Sequence, residues 1–129
     1  MANSGSVHQG PDESYVASGV IPQYTFVKLH STKGQVITSA TVTDEAVGIA
    51  QNAAADGEPV TVRKSGNSLL LIVTTTTAIG SKLAPSTGAA GLVTTTAGDK
   101  VAAVAQEVVS AGEYAEVQIV SPGLRYDTF

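Results

Sequence analysis

The chain has 129 residues, no cysteine and no tryptophan, with 43% hydrophobic, 5% aromatic and 14% charged residues. A chain of this length buries roughly two-thirds of its unfolded surface, which fits one domain with its own core rather than two. The net charge is −4 and the seven Lys and Arg are scattered, which excludes the clustered basic groove that a nucleic acid requires.

The missing cysteines remove disulfides, thiolate metal sites and thiol nucleophiles from consideration. The apolar content is mostly Ala and Val, so the core is expected to be built from small and β-branched side chains. Thirteen Gly and five Pro among many Ser and Thr point to short strands joined by tight turns and speak against an all-α fold. The opening Met1-Ala2-Asn3-Ser4-Gly5-Ser6 has neither the basic nor the apolar region of a secretory signal, and no run approaches the ~20 apolar residues of a membrane span.

Residues 1–14 are polar with Val7 as the one large apolar group before Tyr15, too little to offset the entropy of ordering, so they read as a flexible N-terminal arm. A β-rich domain over residues 15–123 follows. Thr25-Phe26-Val27-Lys28-Leu29 and Gln35-Val36-Ile37-Thr38 read as a hairpin around Lys33-Gly34. Strands are expected over 47–51, 60–64, 69–73, 81–85, 92–96, 101–105 and 116–120, with Gly at the turns between them. Asn52-Ala53-Ala54-Ala55-Asp56 is an alternative site for one helical turn, since Ala favours helix. Ser121-Pro122-Gly123 closes the last strand, and residues 124–129 form a C-terminal tail with large side chains.

The two halves match without a gap at an offset of 55: residues 48–62 lie over residues 103–117, with Ala50/Ala105, Gln51/Gln106, Gly57/Gly112, Glu58/Glu113 and Val62/Val117 identical. One residue of slippage upstream lays Val36-Ile37-Thr38 over Leu92-Val93-Thr94. The shared unit is a strand, a loop of small residues, a Gly-Glu corner and another strand. Gly57 and Gly112 are expected to supply positive φ, with Glu58 and Glu113 completing these structural turns. The expected fold is all-β: a small β-barrel or β-sandwich with an internal two-fold repeat, two copies closing into one barrel so that no sheet edge is exposed. Its core is expected to contain Val27, Leu29, Val36, Ile49, Val60, Val62, Leu83, Leu92, Val104, Val117 and Ile119.

Residues for catalysis are hard to assemble. The only histidines are His8, in the arm, and His30, which opens a solvated turn; no Gly-x-Ser-x-Gly elbow is present. The carboxylates fall in loops or on polar strand faces, and Asp44-Glu45 and Asp56-Gly57-Glu58 lack the alternation of a calcium loop. Gly98-Asp99-Lys100 lacks the spacing of a phosphate loop. No catalytic site, metal or cofactor is expected. The threonine runs 74–77 and 94–96 are too short for a flat ladder and read as solvent-exposed strand ends.

The polar arm, Phe26-Val27-Lys28-Leu29, Val47-Gly48-Ile49-Ala50, the stretch Ala55-Asp56-Gly57-Glu58-Pro59-Val60-Thr61-Val62 and its second copy ending at Val117 together resemble the small capsid decoration, or cement, proteins of tailed bacteriophages. The resemblance covers most of residues 15–120 and leaves the tail outside it. It implies a non-enzymatic virion protein, made in the host cytoplasm, that binds the capsid exterior as a homotrimer and bridges subunits of the major capsid protein, with no nucleic-acid or membrane partner. Within the arm, Val7, His8, Gln9, Gly10 and Pro11 are the expected capsid-binding segment, able to add a strand to a partner's sheet that ends at Pro11, which lacks a donor. The alternative is a head-fibre or adhesin module that binds a host surface.

Overall fold

The computed structural model describes residues 12–120. Its first half contains β1 (Asp12–Ala17), β2 (Phe26–Leu29), β3 (Gln35–Thr38), β4 (Gly48–Ala50) and β5 (Pro59–Arg63), closed into a barrel of order β1-β3-β2-β4-β5. The second half contains β6 (Gly66–Leu71), β7 (Lys82–Pro85), β8 (Gly91–Val93), β9 (Ala103–Ala105) and β10 (Tyr114–Ile119), in a sheet of order β6-β10-β9-β7-β8. The period of two sorts each strand: in β5, Val60 and Val62 are buried while Thr61 and Arg63 are partly exposed, and in β10 Ala115, Val117 and Ile119 alternate with exposed Tyr114, Glu116 and Gln118. Among the described residues the fold is all-β apart from one 3-10 turn at Thr87–Ala89.

The repeat is larger than the sequence match. Ala17 N donates to Glu58 O and Gly57 N to Ala17 O at 2.9 and 2.8 Å; the same bonds, 55 positions later, run from Ile72 N to Glu113 O and from Gly112 N to Ile72 O at 3.0 and 2.7 Å. The antiparallel β1/β5 ladder recurs as β6/β10, and β2/β4 recurs as β7/β9. Each copy therefore has five strands in equivalent order. In the first copy, the parallel pairs Val16↔Gln35 and Ala17↔Val36 close the barrel. In the second, the same seam is reduced to the single parallel bridge Ile72↔Gly91.

Several expectations are corrected here. The two copies do not share one barrel: with β1 the first closes on itself, while the second, with β6, forms its own five-stranded sheet. The arm does not extend to Ser14: Asp12, Glu13 and Ser14 pair with Arg63, Val62 and Thr61 in β1. Residues 52–56 form no helical turn, because Ala54 bridges to Ile21 through two backbone bonds. The parallel bridge aligns Val36 with Gly91, not Leu92, so the slippage belongs to β2 and β7 and is undone before β3 and β8. Leu29 ends β2 and is 57% exposed. Leu92 and Val104 are half-buried, since buried Gly91, Ala103 and Ala105 hold the alternate positions of their strands. The remaining expected core residues are buried, whereas the threonine runs each contribute one buried side chain, Thr77 and Thr94.

Two buried clusters result. One, filled by Ala17, Ile21, Val27, Val36, Ala50, Ala54, Val60 and Val62, is the interior of the first barrel. The other joins Leu70, Ile72, Leu83, Ala103, Ala105, Ala115 and Val117 of the second copy to Phe26, Ala46 and Ile49 of the first. Phe26 and Ile49 pair across β2 and β4 and point away from their own barrel's interior row, so the second copy covers them. Burying the largest core side chain at this junction locks the two copies together.

Candidate interaction surfaces

The predicted corners are built alike in both copies. Gly57 and Gly112 sit at φ +83° and +90°, a region that side-chain-bearing residues rarely adopt. After each, the glutamate turns back on its own loop: Glu58 Oε1 accepts from Ala55 N at 2.8 Å and Glu113 Oε1 from Ser110 N at 3.0 Å. Asp56 Oδ1 accepts from Gly19 N at 2.7 Å, and Glu107 Oε2 from Glu116 N at 2.7 Å. These carboxylates brace loops through backbone donors.

Strand directions place Asp12 and Val120 at the same end of the molecule, and the braced loops at the other. At the bottom, Arg63 Nη1 of the first copy donates to Asn67 O of the second. At the top, Leu71 N donates to Tyr24 O, and the Tyr24 and Tyr114 rings meet edge to face at 5.7 Å. The two copies thus stand side by side in the same direction. Among the described residues, the top loops carry the three most exposed large apolar side chains, Val20, Ile79 and Val108, at 72%, 76% and 62%.

Val7, His8, Gln9, Gly10 and Pro11 lie outside the described residues. The point where they join the barrel is firmly held. Arg63 forms a two-pronged pair with Asp12, Nε to Oδ1 at 2.8 Å and Nη2 to Oδ2 at 3.1 Å. Lys64 pairs with Glu13 and lies over the Tyr15 ring, 5.1 Å from its centre. The hydrogen bond from Arg63, opposed by partial burial and helped by charge attraction, holds the Asp12 carboxyl below its ordinary range. Burial pushes Lys64 down, but its bonds to Glu13 and Tyr15 outweigh that and its pKa is raised.

The junction between copies forms a surface that sequence reading missed. A groove of about 260 Å³ is lined by Tyr24, Gln51, Arg63, Asn67, Leu69 and Glu116, among others. Tyr24 has φ +60°, held by its N donating to Ala50 O at 2.8 Å and its carbonyl accepting from Leu71 N at 3.0 Å. These residues come from five separated strands and loops, and no spacing in the chain links them.

His30 Nδ1 accepts from Thr32 N at 3.1 Å within its own turn. Among the described residues, no group of three His, Cys, Asp or Glu is placed to hold a metal ion. No helix among the described residues is long and apolar enough to cross a membrane.

No family model matches the chain, and no curated protein sequence matches it. Among solved structures it is similar to the N base of the head fiber gp8.5 in bacteriophage phi29, with a TM-score of 0.66 and 14% identity over 88% of this chain and 96% of that one. At that identity the likeness is one of fold, and the chain therefore shares the architecture of a phage head-fiber base over nearly its whole described length.

Proposed function

We propose that this chain is a non-enzymatic structural protein of a phage head, attached to the capsid exterior. The observation that supports the reading is the similarity of fold to a phage head-fiber base across 96% of that chain. In this reading the protein binds the major capsid protein, as a homotrimer, and bridges neighbouring capsid subunits. The end bearing Asp12 faces the particle, so that the segment Val7, His8, Gln9, Gly10 and Pro11 lies along a capsid-protein sheet edge, with Val7 to Gly10 pairing to it and Pro11 ending the pairing. Exposed Val20, Ile79 and Val108 offer apolar area for contacts between copies. The same fold similarity favours a second reading, in which the protein is a head-fibre module and contacts the host surface.

Co-sedimentation with purified heads that lack the protein tests attachment, and co-sedimentation with host cells tests the second reading. Binding to heads and not to cells supports the first; binding to cells and not to heads replaces it with the second. A chain lacking residues 2–11 should retain its melting temperature and lose head binding. The deletion stops before Asp12 because Asp12 and Glu13 are paired within the barrel. Undiminished binding by the shortened chain would remove the arm from the attachment.

A further inference from the structure

We infer that the groove at the junction of the two copies is a saccharide-binding site. A sugar offers an apolar C–H face and a rim of vicinal hydroxyls, so its site needs an accessible aromatic ring among planar polar side chains. The groove supplies both. Tyr24 lines it, and its ring meets the half-exposed Tyr114 ring in a T-shaped contact. Around Tyr24 stand the amides of Gln51 and Asn67 and the carboxylate of Glu116.

The polar atoms are open to a ligand. Gln51 spends its Nε2 on Ile49 O and Ser68 Oγ, at 3.1 and 2.9 Å, and its Oε1 accepts from no described residue. Asn67 makes one long bond, Nδ2 to Glu116 Oε2 at 3.4 Å, which leaves its Oδ1 free among the described residues. The Tyr24 hydroxyl has no hydrogen-bond partner there either. Four groups that can accept a hydroxyl proton or donate to a hydroxyl oxygen thus converge on one concavity. Tyr24 is held in a left-handed backbone conformation that a tyrosine rarely adopts, and such strain is concentrated where a side chain must be aimed.

Charge narrows the class. Arg63 is committed to Asp12 and to Asn67 O, while Glu116 belongs to no ion pair among the described residues. The groove therefore favours a neutral or amine-bearing sugar over an anionic one. The site exists once per chain, because the repeat places Ser14, Thr61 and Gln118 where the groove has Leu69, Glu116 and Arg63. The inference does not depend on capsid attachment.

The test is a titration of the ¹⁵N-labelled full chain with the methyl glycosides of glucose, galactose, mannose, N-acetylglucosamine and glucosamine, and with galacturonic acid, each to about 20 mM, which reads a Kd of about 10 mM directly. At least one of the first five should shift the amide signals of Tyr24, Gln51, Asn67 and Glu116, with galacturonic acid weaker. Asn67→Ala and Glu116→Ala alter exposed side chains and should leave the rest of the spectrum unchanged while weakening binding about tenfold each. Tyr24→Phe should retain part of the affinity. Silence from all the sugars, shifts confined to other surfaces, or variants that bind as well as the native chain would overturn the site. Tighter binding of galacturonic acid would overturn the charge argument. Because neither variant touches the arm, both should still co-sediment with heads, which separates failure of this site from failure of the capsid reading.

Discussion

Lys100 Nζ lies 3.3 Å from Glu45 Oε2, and the two residues occupy the same position in the two copies of the repeat, 55 residues apart. The loop before β4 thus meets its own duplicate before β9. Lys100 N also donates to Val42 O at 2.8 Å, so a backbone bond accompanies the ion pair. The repeat thus carries opposite charges at this position, where its two copies face each other. Glu45→Lys should destabilise the fold by up to about 1 kcal/mol, and Lys100→Glu by a similar amount, because the pair is partly exposed. The double exchange should recover most of the loss, as read from urea unfolding midpoints; strictly additive losses would show that the pair contributes nothing.

Phe26 is wholly buried in the cluster that joins the copies, whereas the residue at its place in the second copy, Lys82, is exposed. Phe26→Ala should cost about 3–5 kcal/mol, and Lys82→Ala should stay within about 0.5 kcal/mol. Thermal melts of both variants check this. Equal small effects would mean that the copies are held together by something other than Phe26.

Ser39 and Thr94 are another equivalent pair, both buried. Thr94 Oγ1 donates to Asp99 Oδ2, but the equivalent Asp44 pairs with Lys28 at 3.1 Å, and Ser39 Oγ is left without a partner. Ser39→Ala should therefore be neutral or stabilising. Thr94→Val strands a buried carboxylate oxygen and should cost about 1–3 kcal/mol. A calorimetric melt in which Ser39→Ala is the more damaging change would contradict this assignment.

Asp12 ties β1 to β5, and its folded pKa lies below the ordinary 3.8 because Arg63 bonds its charged form. A lowered folded pKa means that the stabilisation is fully present above about pH 4 and is lost as pH falls through the folded value. Asp12→Asn should be less stable than the native chain at pH 7 by at most about 1 kcal/mol, the pair being partly exposed to solvent. The gap should close as pH is lowered below about 4. Urea midpoints across that range measure it; a gap that is independent of pH would assign the loss to packing.

The strand and turn grammar was legible in the residues themselves because it is local. Alternation in Val60-Thr61-Val62-Arg63 marks a half-buried strand wherever it occurs, and Gly57-Glu58 and Gly112-Glu113 announce their corners because positive φ selects glycine. The offset of 55 followed from identities at those corners. β1 was not legible: Asp12, Glu13 and Ser14 look like solvated arm until Arg63 and Lys64, 51 residues away, come to face them and neutralise their charge. Nor could pattern alone separate one shared barrel from a barrel and a second sheet, since that turns on the parallel pairing of Ala17 with Val36 and its echo at Ile72 and Gly91, contacts that no turn specifies. Phe26 reads as core from its apolar character, but which core it joins depends on how two finished sheets pack, as does the groove around Tyr24. Local periodicity sets what each segment can be; only long-range pairing and packing decide which segments meet.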